Sequence, residues 1–337
     1  MFRSGPLDAA LQQWTAADWR SLLPPRLREL SLSIPHSHTL TVRQRIIDAL
    51  PVMRNLNRLS LGPADGIRVD PPLSAPLSLE PLLQLPKLAR LSWYIGDLTF
   101  QQLDVIKQIE TLRSVSNQHG RWSTEQLAFL SQRPHRLDQL EEVDLCETGI
   151  RSAHMAALAQ LPGITSILNR AQTMPLDAFA SLPRLSRLQY FALHLPQLAN
   201  SSDADWEILD SSLRACPALT EISIDDDECS EATGERLLRA LPHLRHLSFS
   251  EVTLPSLRFL RHAPPSLTEL MFFGCSDLRV GHILALGTLL PQLESLVLRD
   301  HGDYGMLDEL EQQALTPPGA VGLPNLRSFD YGIDTDC

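Results

Sequence analysis

The chain has 337 residues, 43% of them hydrophobic, enough to bury a large core and to exclude global disorder. A formal charge of −11 argues against a nucleic-acid partner, and no run of about 18 apolar residues is present to cross a membrane. The five cysteines, Cys146, Cys216, Cys229, Cys275 and Cys337, are odd in number and form no Cys-x-x-Cys pair, so neither a disulfide framework nor a zinc site is expected.

The first 24 residues place Trp14 and Trp19 in a helix-like run that stops at Pro24-Pro25. This segment, 1–24, reads as a helical cap over the end of a longer array, and residues 25–337 form that array. The opening MFRSGPLDAALQQW lacks a continuous apolar stretch of the kind that directs secretion, so the expected location is the cytoplasm or nucleus.

From Leu27 onward one frame returns. Leu140–Ile150, LEEVDLCETGI, shows it best: L-x-x-V-x-L-x-x-T-x-I. Its first position falls at Leu27, Leu56, Leu88, Leu112, Leu140, Ile164, Leu185, Leu219, Leu244, Leu267, Leu293 and Leu326, an average period of about 27 residues. The fourth and sixth positions are apolar as well, as in Leu59/Leu61, Ile222/Ile224 and Leu296/Leu298, so each repeat opens with a short strand buried on one face. Asn117 and Asn169 interrupt two of these strands. Between strands the period becomes helical, over residues 99–109, 123–130, 152–161 and 231–241, with N-caps expected at Ser123 or Thr124, Ser152 and Ser230. A proline closes many coils, among them Pro86, Pro162, Pro183, Pro217, Pro242 and Pro291, and delivers the chain to the next strand.

This pattern resembles the leucine-rich-repeat family, in the ribonuclease-inhibitor-like and F-box-associated form; CPALTEISI (Cys216–Ile224) and Cys275 resemble its cysteine-containing subtype. The resemblance covers residues 25–337 and implies an α/β solenoid of about twelve irregular repeats, a horseshoe with parallel strands on its concave face and helices on its convex face. The ninth position, Asn or Cys in the family, is here as varied as Pro35, Thr148, Val252 and Asp334, so a continuous ladder of side chains bonding the loops is not expected. No F-box is recognisable, since that module needs about twice the length that precedes the first repeat.

No catalytic, cofactor or metal motif is present. His36-x-His38 lacks a third ligand, Asp225–Glu228 lacks the glycine and distal glutamate of a calcium loop, and Cys146 lies among carboxylates that would hold its thiol protonated. The reading is a non-catalytic scaffold that binds a protein on its concave face. The alternative is the substrate receptor of a cullin-type ubiquitin ligase, which the presence of only two lysines, Lys87 and Lys107, would suit.

The third, fifth and seventh positions of each repeat should face outward. In the N-terminal repeats the fifth is serine throughout: Ser31, Ser60, Ser92 and Ser116. Toward the C-terminus Met271, Phe273 and Val297 cluster in adjacent strands with His246, Glu269 and Arg299 beside them, an apolar centre with a charged rim. Arg187 and Phe191, with Arg170, form a second expected patch. Asp225 and its acidic neighbours imply a partner with a basic surface.

Overall fold

One carbonyl per repeat accepts two N–H groups from the next, and this fork sets the register of the molecule. Arg28 O takes the N–H groups of Asn57 and Arg58 at 2.7 and 3.0 Å; Asn57 O takes those of Ala89 and Arg90 at 2.8 and 3.0 Å. The same fork recurs at Ala89, Arg113, Thr165, Gln189, Thr220, Arg245, Thr268 and Glu294. The computed structural model describes residues 15–34, 40–63, 77–93, 97–117, 121–132, 137–145, 148–168, 174–194, 202–225, 229–276, 278–300 and 323–333.

The described residues belong to two compact units, Met1–Thr148 with Ala157–Ile164, and Gly149–Ala156 with Thr165–Cys337. The first contains helix α1 (Ala16–Leu22), β1 (Glu29–Ile34), α2 (Leu40–Ala49), β2 (Arg58–Pro63), β3 (Arg90–Trp93), α3 (Phe100–Lys107), β4 (Ser114–Asn117), α4 (Thr124–Ser131) and β5 (Glu142–Asp144). Helix α5 (Ser152–Leu158) follows. The second contains β6 (Ser166–Leu168), β7 (Tyr190–His194), α6 (Asp203–Arg214), β8 (Glu221–Asp225), α7 (Glu231–Ala240), β9 (His246–Ser250), β10 (Glu269–Phe273), α8 (Val280–Leu289), β11 (Ser295–Asp300) and β12 (Ser328–Ile333). Within each unit the strands run parallel in chain order. Some coils tighten into 3₁₀ turns instead of α-helices, as at Glu80–Gln84, Leu176–Arg184 and Arg258–His262.

First-position residues carry the core. Leu56, Leu88, Leu112, Leu140, Leu244, Leu267 and Leu293 have no exposed surface, and each such side chain contributes about 1.5–3 kcal/mol on burial. The helices start where side chains satisfy their first N–H groups. Thr99 with Gln102 and Ser123 with Gln126 form capping boxes at α3 and α4, while Ser230 caps α7 through the Thr233 N–H without a reciprocal bond. The two glutamines do a second job: Gln102 Nε2 donates to Leu77 O and Gln126 Nε2 to Leu98 O, tying each helix start to the preceding coil. Ser152, expected as a cap, is the first residue of α5, and its hydroxyl donates to Asp177. The Arg151 N–H is taken by His154 Nδ1 at 3.0 Å.

Ninth positions contribute more than the family comparison suggests. Thr148 Oγ1 accepts from the Trp122 N–H at 2.9 Å, while the indole Nε1 of Trp122, 2% exposed, donates to Asp144 O at 2.9 Å. Cys275 Sγ lies 3.5 Å from Phe249 O. These rungs do for single repeats what an asparagine ladder does for a whole array. Asn117 is less well served. It occupies a sixth position, is 1% exposed, and neither its amide nitrogen nor its oxygen has a hydrogen-bond partner among the described residues.

One repeat is phased differently from the sequence reading. Gln189 and Tyr190 donate to Thr165 O, and Gln189 O in turn accepts from Thr220 and Glu221, so the seventh repeat begins at Leu188, not Leu185. Strand pairing agrees, matching Tyr190 with Ser166 and Glu221, and Phe191 with Ile167 and Ile222. The reason lies in the coil. Each repeat also carries an apolar residue three before its first position, where a turn closes, as with Leu56 N–H to Met53 O and Leu188 N–H to Leu185 O. In LPRLSRLQYFAL both phases carry leucines, and the Leu-Pro-x-Leu signature that precedes other strands here sits at the end of a 3₁₀ turn.

Candidate functional site

Three strands of the second unit, β8, β9 and β10, alternate strictly between core and solvent side. In β8, β9 and β10 the second and fourth residues are buried and the others half-exposed. Register then sets three rows across this outward face. Glu221, His246, Glu269 and Ser295 form the first, Ser223, Ser248, Met271 and Val297 the second, and Asp225, Ser250, Phe273 and Arg299 the third. Neighbours within a row are about 4.8 Å apart and rows about 7 Å apart. Beneath them Phe249 and Phe272 stack at 5.6 Å between centroids with an 11° tilt, and Phe259 meets Phe249 edge-on at 5.9 Å. The face rests on a packed aromatic layer.

Charge is distributed along the first and third rows. His246 Nδ1 lies 2.7 Å from Glu269 Oε2. Burial pushes the Glu221 carboxyl above the usual carboxylate range; His246 opposes that shift and Glu269 adds to it. Glu221 has no hydrogen-bond donor among the described residues. Ser248 Oγ donates to Ser223 Oγ at 2.9 Å. Arg299 is held by an ion pair with Asp330 on β12, and a glycine at the facing seventh position, Gly332, leaves room for its guanidinium: a Cβ there would come within 3.0 Å of Nη1. Beyond β9 and β10 the chain turns sharply through left-handed residues at equivalent positions, Glu251 (φ 57°) and Gly274 (φ 58°). Their N–H groups donate to Phe273 O and Arg299 O at 2.7 and 2.8 Å, fixing the strand ends around the third row.

Seven expected residues, Asp225, His246, Glu269, Met271, Phe273, Val297 and Arg299, therefore lie together on one contiguous face, all half-buried. Two do not. Phe191 has no exposed surface; it takes the fourth position of its repeat and packs edge-on to Phe179 at 6.0 Å. Arg187 is exposed but sits in the turn before β7, off the strand face. Both corrections follow from the three-residue phase shift. Arg170, His36, His38, Cys146 and Asp226–Glu228 lie outside the described residues. The phase shift also adds a residue that the sequence reading had turned inward: Tyr190, half-exposed and paired in register with Glu221.

The outward face of the first unit differs in kind. Ser114 Oγ donates to Glu142 Oε1 at 2.7 Å and Ser116 Oγ to Asp144 Oδ2 at 2.8 Å. Ser114, Ser116 and Asp144 are buried, so of the expected serine floor Ser116 bonds to its own neighbouring strand, while Ser31 is exposed and Ser60 and Ser92 are half-buried. Elsewhere, burial pushes the Cys216 thiol up to about 11, and its Sγ donates to Ser212 O at 3.2 Å, the condition of an inert core cysteine. Among the described residues no group of three or more His, Cys, Asp or Glu side chains could hold a metal, and no helix is long and apolar enough to cross a membrane.

No protein-family model and no curated protein matches the chain. Among solved structures it is similar to the internalin InlF of Listeria monocytogenes, at 16% identity and a TM-score of 0.39, over 97% of this chain and 93% of that one. It is also similar to internalin C2 of the same organism, at 16% identity and a TM-score of 0.39, over 73% of this chain and 93% of that one. A third similarity is to TLR13 in the TLR13–ssRNA13 complex, at 17% identity and a TM-score of 0.41, over 91% of this chain and 48% of that one. By its own repeat length, strand order and register, the chain is an α/β leucine-rich-repeat solenoid.

Proposed function

We propose that this protein is a non-catalytic scaffold that binds a partner protein on the outward face of β8–β12. The observation that supports this most is the second-unit face itself. Met271, Val297 and Phe273 stand half-exposed in adjacent strands, with Glu269, His246 and the Arg299–Asp330 pair around them. An apolar centre within a charged rim, on a packed layer, is the composition of an interface hot spot. The chain is retained on an affinity resin with native lysate, comparing wild type with a Met271→Ser/Phe273→Ser double variant. Circular dichroism checks that both fold. A protein retained by wild type and lost from the variant supports the reading; equal retention by both sinks it.

One observation favours the ligase-receptor reading as a second possibility for the same scaffold. Of two lysines, Lys107 is 5% exposed, with its ammonium 4.2 Å from the centre of the Phe129 ring. Lys87 is exposed, bonded to Asn55 Oδ1 at 2.7 Å. The chain thus presents one accessible lysine amine, which suits a protein that works beside a lysine-modifying enzyme. Cullin-adaptor subunits among the retained proteins would support this reading, and their absence would remove it.

A further inference from the structure

The outward face of β8–β10 is acidic where it is least satisfied. Glu221 is half-buried, disfavoured as an anion, and lacks a donor among the described residues. Glu269 has one oxygen, Oε2, engaged by His246. The guanidinium of Arg299, in the third row of the same face, is already committed to Asp330. A desolvated carboxylate of this kind is relieved by a cationic donor that arrives with a partner, and a charge-assisted bond there gains from the low local dielectric.

The apolar residues add a spacing. Along β10, Glu269, Met271 and Phe273 face the same way at successive intervals of about 7 Å. An extended polypeptide presents its own alternate side chains at that interval. Resting on the protein-binding reading above, we infer that this face receives an extended segment of a partner protein. In it a lysine or arginine lies two residues from an apolar side chain, the cation seated at Glu221 and Glu269 and the apolar group on Met271 and Val297. Charge complementarity selects the cation, and the strand repeat sets its distance from the apolar neighbour. A phosphate-bearing ligand would meet the same carboxylates as repulsion.

The test is a random peptide library displayed on phage and selected on the full-length chain. Each enriched sequence is then measured against wild type, Glu221→Gln/Glu269→Gln and Met271→Ser/Phe273→Ser. Expected are sequences with a basic residue two positions from an apolar one, lost on the serine variant. Affinity should fall about tenfold or more on the glutamine variant, with a similar fall at raised salt. Suppose binders depend on Met271 and Phe273 but show no basic preference and tolerate the glutamine variant. The inference then falls while the protein-binding face stands. If no sequence is enriched, or every binder is indifferent to the serine variant, the face itself is wrong and the inference goes with it.

Discussion

Gly234 lies inside α7, where replacing glycine by alanine ordinarily stabilises a helix by about 1 kcal/mol. Here the added methyl would meet Phe259 at 2.5 Å from Cδ2, 2.6 Å from Cγ and 3.0 Å from Cε2, about 1 Å inside normal carbon contact. Phe259 cannot step aside freely. It is 1% exposed, packs edge-on to Phe249, and the adjoining void, lined also by Leu237, Leu247 and Ile224, is only about 10 Å³. Overpacking of this type costs about 1–3 kcal/mol or more, so the clash outweighs the propensity gain, and Gly234→Ala should lower stability by about 1–2 kcal/mol. Gly281→Ala in α8 is the control, because a Cβ there has nothing within 4 Å and should give a gain of up to about 1 kcal/mol. Urea denaturation followed by circular dichroism measures both midpoints. Because Phe259 supports the Phe249–Phe272 stack under Met271 and Phe273, Gly234→Ala should also weaken partner binding without touching the face. A Gly234→Ala midpoint as high as that of Gly281→Ala would refute the packing argument.

Three further outcomes are expected. Replacing Asn117 by leucine removes two buried polar atoms without partners and restores the apolar sixth position between Trp93 and Leu145; a gain of about 1–3 kcal/mol in urea is expected, and a loss would show that the amide is satisfied. Cys216, held protonated and buried with Cys229, should resist thiol reagents at pH 8 in the folded protein and react once it is unfolded; rapid native labelling, located by mass spectrometry, would contradict the burial. The Glu221 carboxyl titrates higher folded than its ordinary 4.5, so the folded state holds the proton more tightly. Its contribution is fully present below about 4.5 and is lost as pH rises through the folded value. Glu221→Gln should therefore gain on wild type between pH 4 and 7 in denaturation midpoints, and a constant difference across that range would show no coupling.

Much of the architecture was legible in the chain alone. A two-residue period buries alternate strand residues whatever the neighbours are, so the inward residues of β8–β10 and the outward Glu269, Met271 and Phe273 could be named in advance. The caps at Ser123 and Ser230 were likewise local, since each side chain meets an N–H three residues on. The phase of the seventh repeat was not local. Leu185 and Leu188 both fit the pattern, and only the Thr165 and Gln189 carbonyls chose between them, turning Phe191 inward and Tyr190 outward. Nor could the sequence show that Ser114 would bond Glu142, 28 residues away, or that Glu221 would lie desolvated beside His246 and Glu269. Periodicity is a property of one strand and survives in any chain that carries it. Which hydroxyl meets which carboxylate, and which carboxylate is left without a donor, depends on residues a full repeat apart being stacked to about 4.8 Å, and only the folded coil does that.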